Sequence, residues 1–264
     1  MSDSGTHAAH AALVQKQFSP RAASYVASPV HAQGKDLERL AAWAREHHPE
    51  HVLDLGCGGG HVSFSVAPHA GRVVACDPSP AMLEAVAKEA EARKLGNIEL
   101  REAWAERLPF DDASFDLVAS RFSAHHWQKL APGLAEARRV LRPGGTAIFI
   151  DTVAPPVPLL DTLLDTLVDT WLQSIELMRD PSHVRDWSTA EWVAALRAAG
   201  FAPGAPEIFR RRLDFSSWVE RMATPPSMTV AIRALQQQAP EEVRRHFAIE
   251  GDGSFQIDAA WLSC

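Results

Sequence analysis

A glycine cluster carries the clearest chemical signal in this sequence. VLDLGCGGG places Gly56, Gly58, Gly59 and Gly60 directly after an apolar run that is typical of a strand. Glycine lets the chain turn sharply and lets a ligand approach the backbone without meeting a Cβ atom. A helix predicted to begin near His61 would point its first N–H groups at the same place. We therefore predict a loop that binds a nucleotide-like cofactor.

An acidic residue, Asp77, ends the next predicted strand, RVVACD. In a doubly wound sheet the two strands are neighbours, so this carboxylate would accept hydrogen bonds from a ribose. The dinucleotide fingerprint G-x-G-x-x-G fits the loop poorly, because His61 stands where the third glycine should be. A P-loop is absent as well, since the sequence contains no G-K-S/T.

Two adjacent histidines are candidates for acid–base chemistry. His125 and His126 stand in SRFSAHHW, just after the predicted strand FDLVAS. Ligands of doubly wound sheets bind at the carboxyl ends of the strands, which is where this loop is expected. The reference pKa of imidazole, about 6.5, suits proton transfer near neutral pH. We expect one of the pair to contact a substrate or act as a general base; the alternative is that both pack against the following helix.

The elements that must position these residues alternate along the chain. Strands are predicted at 51–55, 72–77, 97–100, 115–120, 146–151, 206–215 and 254–264, and helices at 35–48, 79–94, 128–141, 158–178, 188–200 and 225–247. Alternation of this kind needs parallel strands joined by right-handed crossover helices, which gives a doubly wound α/β sheet. Pro20 and Pro29 are expected to break any long helix in the first 33 residues.

Composition excludes several classes of protein. With 264 residues, 46% of them hydrophobic and 22% charged, the chain is typical of a globular protein. A formal net charge of −7 gives no general attraction to phosphate backbones, so we expect no nucleic-acid partner. No apolar run approaches the ~20 residues of a membrane span, and the N-terminus does not resemble a secretory signal, so we expect a cytoplasmic protein. Three widely spaced cysteines predict neither disulfides nor a metal site.

The order of three motifs resembles that of class I S-adenosylmethionine-dependent methyltransferases. These motifs are VLDLGCGGG, then LPFDDASFDLV at 108–118 and VLRPGG at 140–145. Within the class the chain is most similar to the methyltransferase type 11 group, which includes the ubiquinone/menaquinone-biosynthesis C-methyltransferases. The resemblance implies a Rossmann-like, doubly wound seven-stranded sheet with S-adenosylmethionine as cofactor and S-adenosylhomocysteine as product.

The resemblance also implies which residues hold the cofactor. It assigns the methionine moiety and the loop around it to Asp54, Gly56, Cys57, Gly58 and Gly60. It assigns the ribose to Asp77, the adenine to Pro78 and Met82, and the cofactor's amino group to backbone atoms near Arg121. One position departs from the family pattern, because Trp104 replaces an aspartate that many relatives place near the adenine. Stacking and the Ala105 backbone are then expected to hold the base, with Glu106 as a nearby acid.

Three segments are expected, of which two contribute a helical lid. They are an N-terminal lid segment at 1–33, a cofactor-binding core at 34–152, and substrate lid helices with the final strands at 153–264. Tyr25 and His183, which fall in the two lid segments, are further candidates for contact with substrate. The Arg210–Arg212 run is expected to lie along a strand, with an anionic-substrate role as the alternative.

The function expected from the resemblance is in-line methyl transfer to a small aromatic, heteroaromatic or quinone-like metabolite. Two alternatives stay open. One is a protein that binds S-adenosylmethionine without catalysis. The other is an NAD(P)-dependent oxidoreductase. The missing third glycine disfavours it. The short-chain type also needs a Tyr-x-x-x-Lys motif, which is lacking because Tyr25 is the sole tyrosine.

Overall fold

Seven strands form one sheet in the computed structural model, which describes residues 3–26, 33–155 and 163–264. In chain order the strands are β1 (His51–Leu55), β2 (Arg72–Asp77), β3 (Ile98–Glu102), β4 (Phe115–Arg121), β5 (Leu141–Thr152), β6 (Glu207–Leu213) and β7 (Phe255–Ser263). Their order across the sheet is β3-β2-β1-β4-β5-β7-β6. The predicted doubly wound α/β sheet of seven strands is therefore confirmed.

Helices cover the sheet and one of its edges. In chain order they are α1 (Asp3–Phe18), α2 (Ala22–Val26), α3 (Lys35–His47), α4 (His61–Val66), α5 (Pro80–Ala92), α6 (Leu130–Val140), α7 (Leu163–Arg179), α8 (Thr189–Ala198), α9 (Phe215–Arg221), α10 (Pro226–Gln238) and α11 (Glu241–His246). The helices α3 to α6 alternate with the first five strands, as the sequence pattern predicted. A capping box begins α8, where the Ser188 and Glu191 side chains each accept a hydrogen bond from the other residue's backbone N–H.

One strand breaks the parallel arrangement. β1 to β5 are parallel neighbours, whereas β7 runs antiparallel to both β5 and β6. The chain leaves β6 at Leu213 and enters β7 at Phe255, and these two residues are paired in the sheet. Because α9 to α11 begin and end at the same edge, the returning strand must run in the opposite direction. These helices therefore stay over the carboxyl ends of the strands.

Three apolar clusters hold the layers together. Alternation along β1 sends Leu53 to one face of the sheet, against α6 and α8, and Val52 to the other face, against α3 and α4. The third cluster joins α7 and α9 to α11 around Trp171 and Trp218. This cluster is a small core of its own, which supports the helices above the strand ends.

The helices differ from the sequence prediction at three places. α1 runs for 16 residues before Pro20, so the proline ends the helix and does not prevent it. The predicted helix at 225–247 is two helices, because Pro240 interrupts it. The predicted strand at 206–215 ends at Leu213, where Asp214 caps α9 by accepting a hydrogen bond from the Ser217 N–H. Pro29 and the predicted start of α7 at 158 lie outside the described residues.

None of the helices in the described part of the chain is long and apolar enough to cross a membrane.

Truncation of Trp192 tests the packing of α8 on the sheet. Trp192 is fully buried and its ring centroid lies 5.7 Å from that of Phe149 on β5. We expect Trp192→Ala to lower the free energy of unfolding by about 3–5 kcal/mol, because it leaves a large cavity. Circular dichroism during urea unfolding measures this. Leu177→Ala, at a 56% exposed position, is the control and should change stability little; an equal loss in both variants would contradict the packing described here.

Candidate active site

A cavity lies at the carboxyl ends of the strands, between the glycine loop, α1, α2 and the helices that follow β6. Most of the residues predicted to form the site line it. These are Tyr25, Asp54, Gly56, Cys57, Gly58, Asp77, Pro78, Met82, Ala105, Arg121, His125 and His126. The sheet therefore brings together, at one edge, side chains that the sequence spreads over 100 residues and more.

Three predicted residues lie away from the wall of the cavity. Gly60 lies behind the loop, where an added Cβ would come within 2.9 Å of Phe64. Glu106 accepts a hydrogen bond from the Lys129 backbone N–H at 3.2 Å. The His183 side chain is buried and its Nε2 bonds Gln173 Oε1 at 3.1 Å, so it supports the site from outside.

The glycine loop is held against β2 and needs its glycines. The N–H groups of Gly56 and Cys57 both donate to the Cys76 carbonyl, at 2.8 and 2.9 Å. Gly56 and Gly58 have φ values of +71° and +48°, which residues other than glycine rarely adopt. A Cβ on Gly56 would also lie 1.9 Å from Ser123 Oγ. The loop can therefore lie against the loop after β4 only with glycine at this position.

Asp77 fixes the loop from the end of β2. Its Oδ2 accepts from the Gly58 N–H and its Oδ1 from the Ser79 N–H, both at 2.9 Å. Burial raises the pKa of Asp77 to about 6, and the two N–H groups act against that rise. The carboxylate is therefore ionised at neutral pH and faces the cavity as a hydrogen-bond acceptor.

Asp54 has the same arrangement one strand away. Its Oδ2 accepts from the N–H and the hydroxyl of Ser63, at 2.9 and 2.7 Å, which joins β1 to α4. Burial raises its pKa to about 6 as well. Burial also raises the pKa of the Cys57 thiol well above its ordinary value, which keeps this thiol protonated at neutral pH. Cys57 is therefore a neutral part of the wall and not a nucleophile.

His125 is held by a carboxylate that the sequence analysis missed. Its Nδ1 lies 2.6 Å from Asp151 Oδ1, and its backbone N–H donates to Asp151 Oδ2 at 3.2 Å. Burial alone would lower the pKa of His125, but the charge and hydrogen bond of Asp151 raise it to about 9. Asp151 ends the predicted strand TAIFID, so its position at the carboxyl edge was the signal that could have found it. At neutral pH His125 is an imidazolium ion.

Two further histidines lie beside His125, and both are uncharged at neutral pH. The rings of His126 and His183 have centroids 4.2 and 5.8 Å from that of His125. Burial, together with the charge of His125, lowers the pKa of His126 to about 4 and that of His183 to about 2. One cation among three imidazoles is thus placed at the ring that Asp151 holds.

The N-terminal helices cover the glycine loop and the histidines. His61 Nε2 lies 2.9 Å from the Tyr25 carbonyl, and His10 Nε2 lies 2.9 Å from the His126 carbonyl. The Tyr25 hydroxyl donates to Met222 Sδ at 2.8 Å, which connects the N-terminal segment to the lid after β6. The Phe18 ring packs edge-on against His126 at 5.0 Å. The N-terminal helices and the lid after β6 therefore both contribute to the roof of the cavity.

Charged residues from the second half of the chain complete the wall. They are Glu176, Arg179, Asp180, Asp186, Arg211 and Arg221. Of these six, only Arg211 was among the residues for which the sequence suggested a role in binding substrate. The others lie on or just after α7 and α9, and no spacing in the sequence shows that those helices pack over the strand ends.

Comparison with known proteins fits this geometry. Residues 53–149 match the family described as methyltransferase domain. The uncharacterised methyltransferase YcgJ of Bacillus subtilis is 31% identical over 232 residues, which is 88% of each chain. Its crystal structure superposes on this one with a TM-score of 0.78 at 28% identity, covering 86% of this chain and 96% of that one. The chain belongs to the class I S-adenosylmethionine-dependent methyltransferases.

Two other relatives by sequence cover different shares of the chain. The uncharacterised protein YafE of Escherichia coli (strain K12) is 43% identical over 203 residues, 77% of this chain and 94% of that protein. A demethylmenaquinone methyltransferase of Chlorobaculum parvum is 39% identical over 167 residues, 59% of this chain and 67% of that protein.

The walls of the methyltransferase cavity fit S-adenosylmethionine. The loop around Gly56 and Gly58 leaves backbone exposed where a Cβ would fill the space, and the Asp77 carboxylate is an acceptor suited to two ribose hydroxyls. Met82 and Trp104 line the same part of the cavity and offer apolar surface to a purine. The donor set and the apolar walls thus match the polar and flat parts of the cofactor.

Asp77→Asn tests the ribose contact of the methyltransferase. We expect the variant to bind S-adenosylhomocysteine about 10- to 100-fold more weakly, because it replaces charge-assisted hydrogen bonds by neutral ones. Wild-type affinity should be constant near neutral pH and decrease as the pH falls through about 6, where Asp77 and Asp54 become protonated. Isothermal titration calorimetry measures both effects.

Glu84→Gln, on the exposed surface of α5, is the control for Asp77→Asn and should leave the affinity unchanged. Equal affinity of wild type and Asp77→Asn would remove Asp77 from the cofactor site.

Proposed function

We propose that this methyltransferase methylates a small aromatic, heteroaromatic or quinone-like metabolite, at an atom beside a hydroxyl or at the hydroxyl itself. The observation that carries the proposal is the His125–Asp151 pair, which holds a cationic imidazole in the wall of a cavity lined by aromatic rings. The demethylmenaquinone methyltransferase of Chlorobaculum parvum, a relative by sequence, supports a quinone-like acceptor.

S-adenosylmethionine, when bound, supplies an electrophilic methyl group. The chain's own task is to hold the cofactor and the acceptor in line, because alignment converts a bimolecular step into a unimolecular one. We assign the cofactor to the half of the cavity formed by the glycine loop, Asp77 and Met82. The acceptor then belongs to the other half, at the ends of β4 and β5 and under the lid.

His125 would control the charge of the acceptor. Its Nδ1 is engaged by Asp151, and Nε2 has no hydrogen-bond partner among the described residues. An imidazolium N–H donates a strong hydrogen bond to an anionic oxygen, so it stabilises a phenolate or enolate relative to the neutral hydroxyl. His125 would thus stabilise the charge that remains on the acceptor oxygen, while the acceptor's own proton is lost to solvent, because an imidazolium already carries a proton on each ring nitrogen.

Aromatic rings would select a flat acceptor. Phe18, Phe122, Trp127 and Trp218 line the cavity together with His126. Aromatic rings prefer offset-stacked or edge-to-face contacts with other rings, which favours a planar molecule. The roof formed by α1 and the helices after β6 leaves a cavity of the kind that encloses metabolites, and the net charge of −7 does not favour nucleic acid.

His125→Asn tests this function. Purified protein is incubated with methyl-labelled S-adenosylmethionine and a bacterial metabolite extract, and small molecules are then separated from macromolecules. We expect label in the small-molecule fraction, formed about 100-fold more slowly by His125→Asn, which is the usual effect of removing one hydrogen-bond donor to a reacting oxyanion. S-adenosylhomocysteine affinity should stay unchanged, because Asp77 and the glycine loop are intact.

The matched control is His48→Asn, at an exposed histidine whose φ of +45° asparagine tolerates. It should label the extract at the wild-type rate. Label only in macromolecules would contradict the proposed acceptor class, and equal rates for wild type and His125→Asn would remove the role of His125. Cofactor binding without any label would make the protein a binder of S-adenosylmethionine.

A further inference from the structure

Three consecutive arginines on β6 are divided between two faces of the sheet. Arg210 pairs with Asp258 at 3.2 Å, and Arg212 pairs with Glu250 at 2.6 Å. Because side chains alternate along a strand, Arg211 points to the opposite face, where it lines the cavity. Its guanidinium carbon lies 4.1 Å from the centre of the Phe122 ring. Arg211 therefore belongs to the site, while its two neighbours belong to the surface.

Four arginines line the cavity, and only two of them have acidic partners. Arg121 pairs with Asp36 at 2.5 Å, and Arg179 pairs with Glu176 at 3.2 Å. Within residues 3–26, 33–155 and 163–264 no carboxylate forms an ion pair with Arg211, nor with Arg221, whose Nε is buried without a hydrogen-bond partner. Burial, together with the nearby charges of Arg121 and Arg221, lowers the pKa of Arg211 to about 10.

Three acids of the cavity wall have partners other than Arg211 and Arg221, although Asp180 Oδ2 and Asp186 Oδ2 are buried without a hydrogen-bond partner among the described residues. Glu176 is paired with Arg179, and Asp180 accepts hydrogen bonds from the N–H and hydroxyl of Ser182 at 2.9 and 2.7 Å. Asp186 Oδ2 lies 3.8 Å from His183 Nε2, and burial raises the pKa of the Asp186 carboxyl well above its ordinary value. A guanidinium that is removed from water is costly unless an anion or a set of acceptors faces it. Among the described residues, Asp36 and Asp151 act on Arg211 and Glu176 acts on Arg221 from beyond ion-pair distance, and no carboxylate pairs directly with either guanidinium.

We propose that Arg211 and Arg221 form a subsite for a carboxylate or phosphate group of the methyl acceptor. The forked donors of arginine suit both oxyanions, and a single anion would neutralise two half-buried charges that repel each other. The inference rests on the proposed function, because it assigns the anion to the acceptor.

The position in the sheet separates this subsite from the cofactor. Arg211 lies on β6, at the edge of the sheet, and Arg221 ends α9, which follows directly after β6. The glycine loop and Asp77 follow β1 and β2, on the other side of β4 and β5. The acceptor would therefore lie between a cationic end at Arg211 and its reacting hydroxyl near His125.

Binding of three naphthalene probes tests the subsite. The protein is saturated with S-adenosylhomocysteine and titrated with 1-naphthoate, 1-naphthyl phosphate and the uncharged 1-naphthamide, with calorimetry as the readout. We expect at least one anion to bind about tenfold more tightly than the amide, as for a charge-assisted hydrogen bond, and the preferred anion identifies carboxylate or phosphate as the group. Arg211→Gln and Arg221→Gln should each remove the preference, and Arg212→Gln, whose arginine is paired on the outer face, should keep it.

Three results would overturn the subsite. In the first, neither anion binds more tightly than 1-naphthamide to the wild type. In the second, the anion preference survives both Arg211→Gln and Arg221→Gln. In the third, Arg211→Gln loses affinity for S-adenosylhomocysteine. The last would mean that Arg211 holds the cofactor. All of these readouts measure binding and need no turnover. If no metabolite is methylated, the proposed function is rejected, and the binding experiment still decides whether the anion subsite exists.

Discussion

Three buried aspartates at the carboxyl ends of parallel strands hold the loops from which the site is formed. Asp54 on β1 accepts from Ser63, Asp77 on β2 accepts from Gly58 and Ser79, and Asp151 on β5 accepts from His125 and Thr152. In each case the carboxylate satisfies backbone N–H groups that would otherwise be buried without a partner. The parallel sheet makes this possible, because it places the ends of β1, β2 and β5 at one edge.

These contacts stabilise the loops and set their chemistry at the same time. Burial raises the pKa values of Asp54 and Asp77 to about 6, so both remain charged at neutral pH but not far below it. Asp151 acts on its neighbour and raises the pKa of His125 to about 9. Because this value lies above that of an unfolded histidine, the pair contributes its full stability below about pH 6.5 and loses it as the pH rises through 9.

The cavity wall at the ends of β1, β2 and β4 could be predicted from sequence, whereas the wall formed by the second half of the chain could not. Gly56, Gly58 and Asp77 follow strands at fixed distances, so the strand pattern alone places them together at one edge. Asp151 is equally regular, and it was missed because a lone aspartate at a strand end carries no motif. Arg221 is a different case, since its place in the cavity depends on how α9 packs over the sheet. That packing rests on contacts between distant segments around Trp218, which no local pattern encodes.

A titration of His125 by NMR tests the central claim that strand-end aspartates set the charges of the site. The imidazole signals of the protein saturated with S-adenosylhomocysteine are followed from pH 5 to 10. Two variants, His125→Asn and Asp151→Asn, assign the signal and remove its partner. We expect His125 to titrate near pH 9. We expect Asp151→Asn to move the midpoint down by about 2 units or more, towards or below the reference pKa of histidine. A wild-type midpoint near 6.5, or one that Asp151→Asn leaves unchanged, would contradict it.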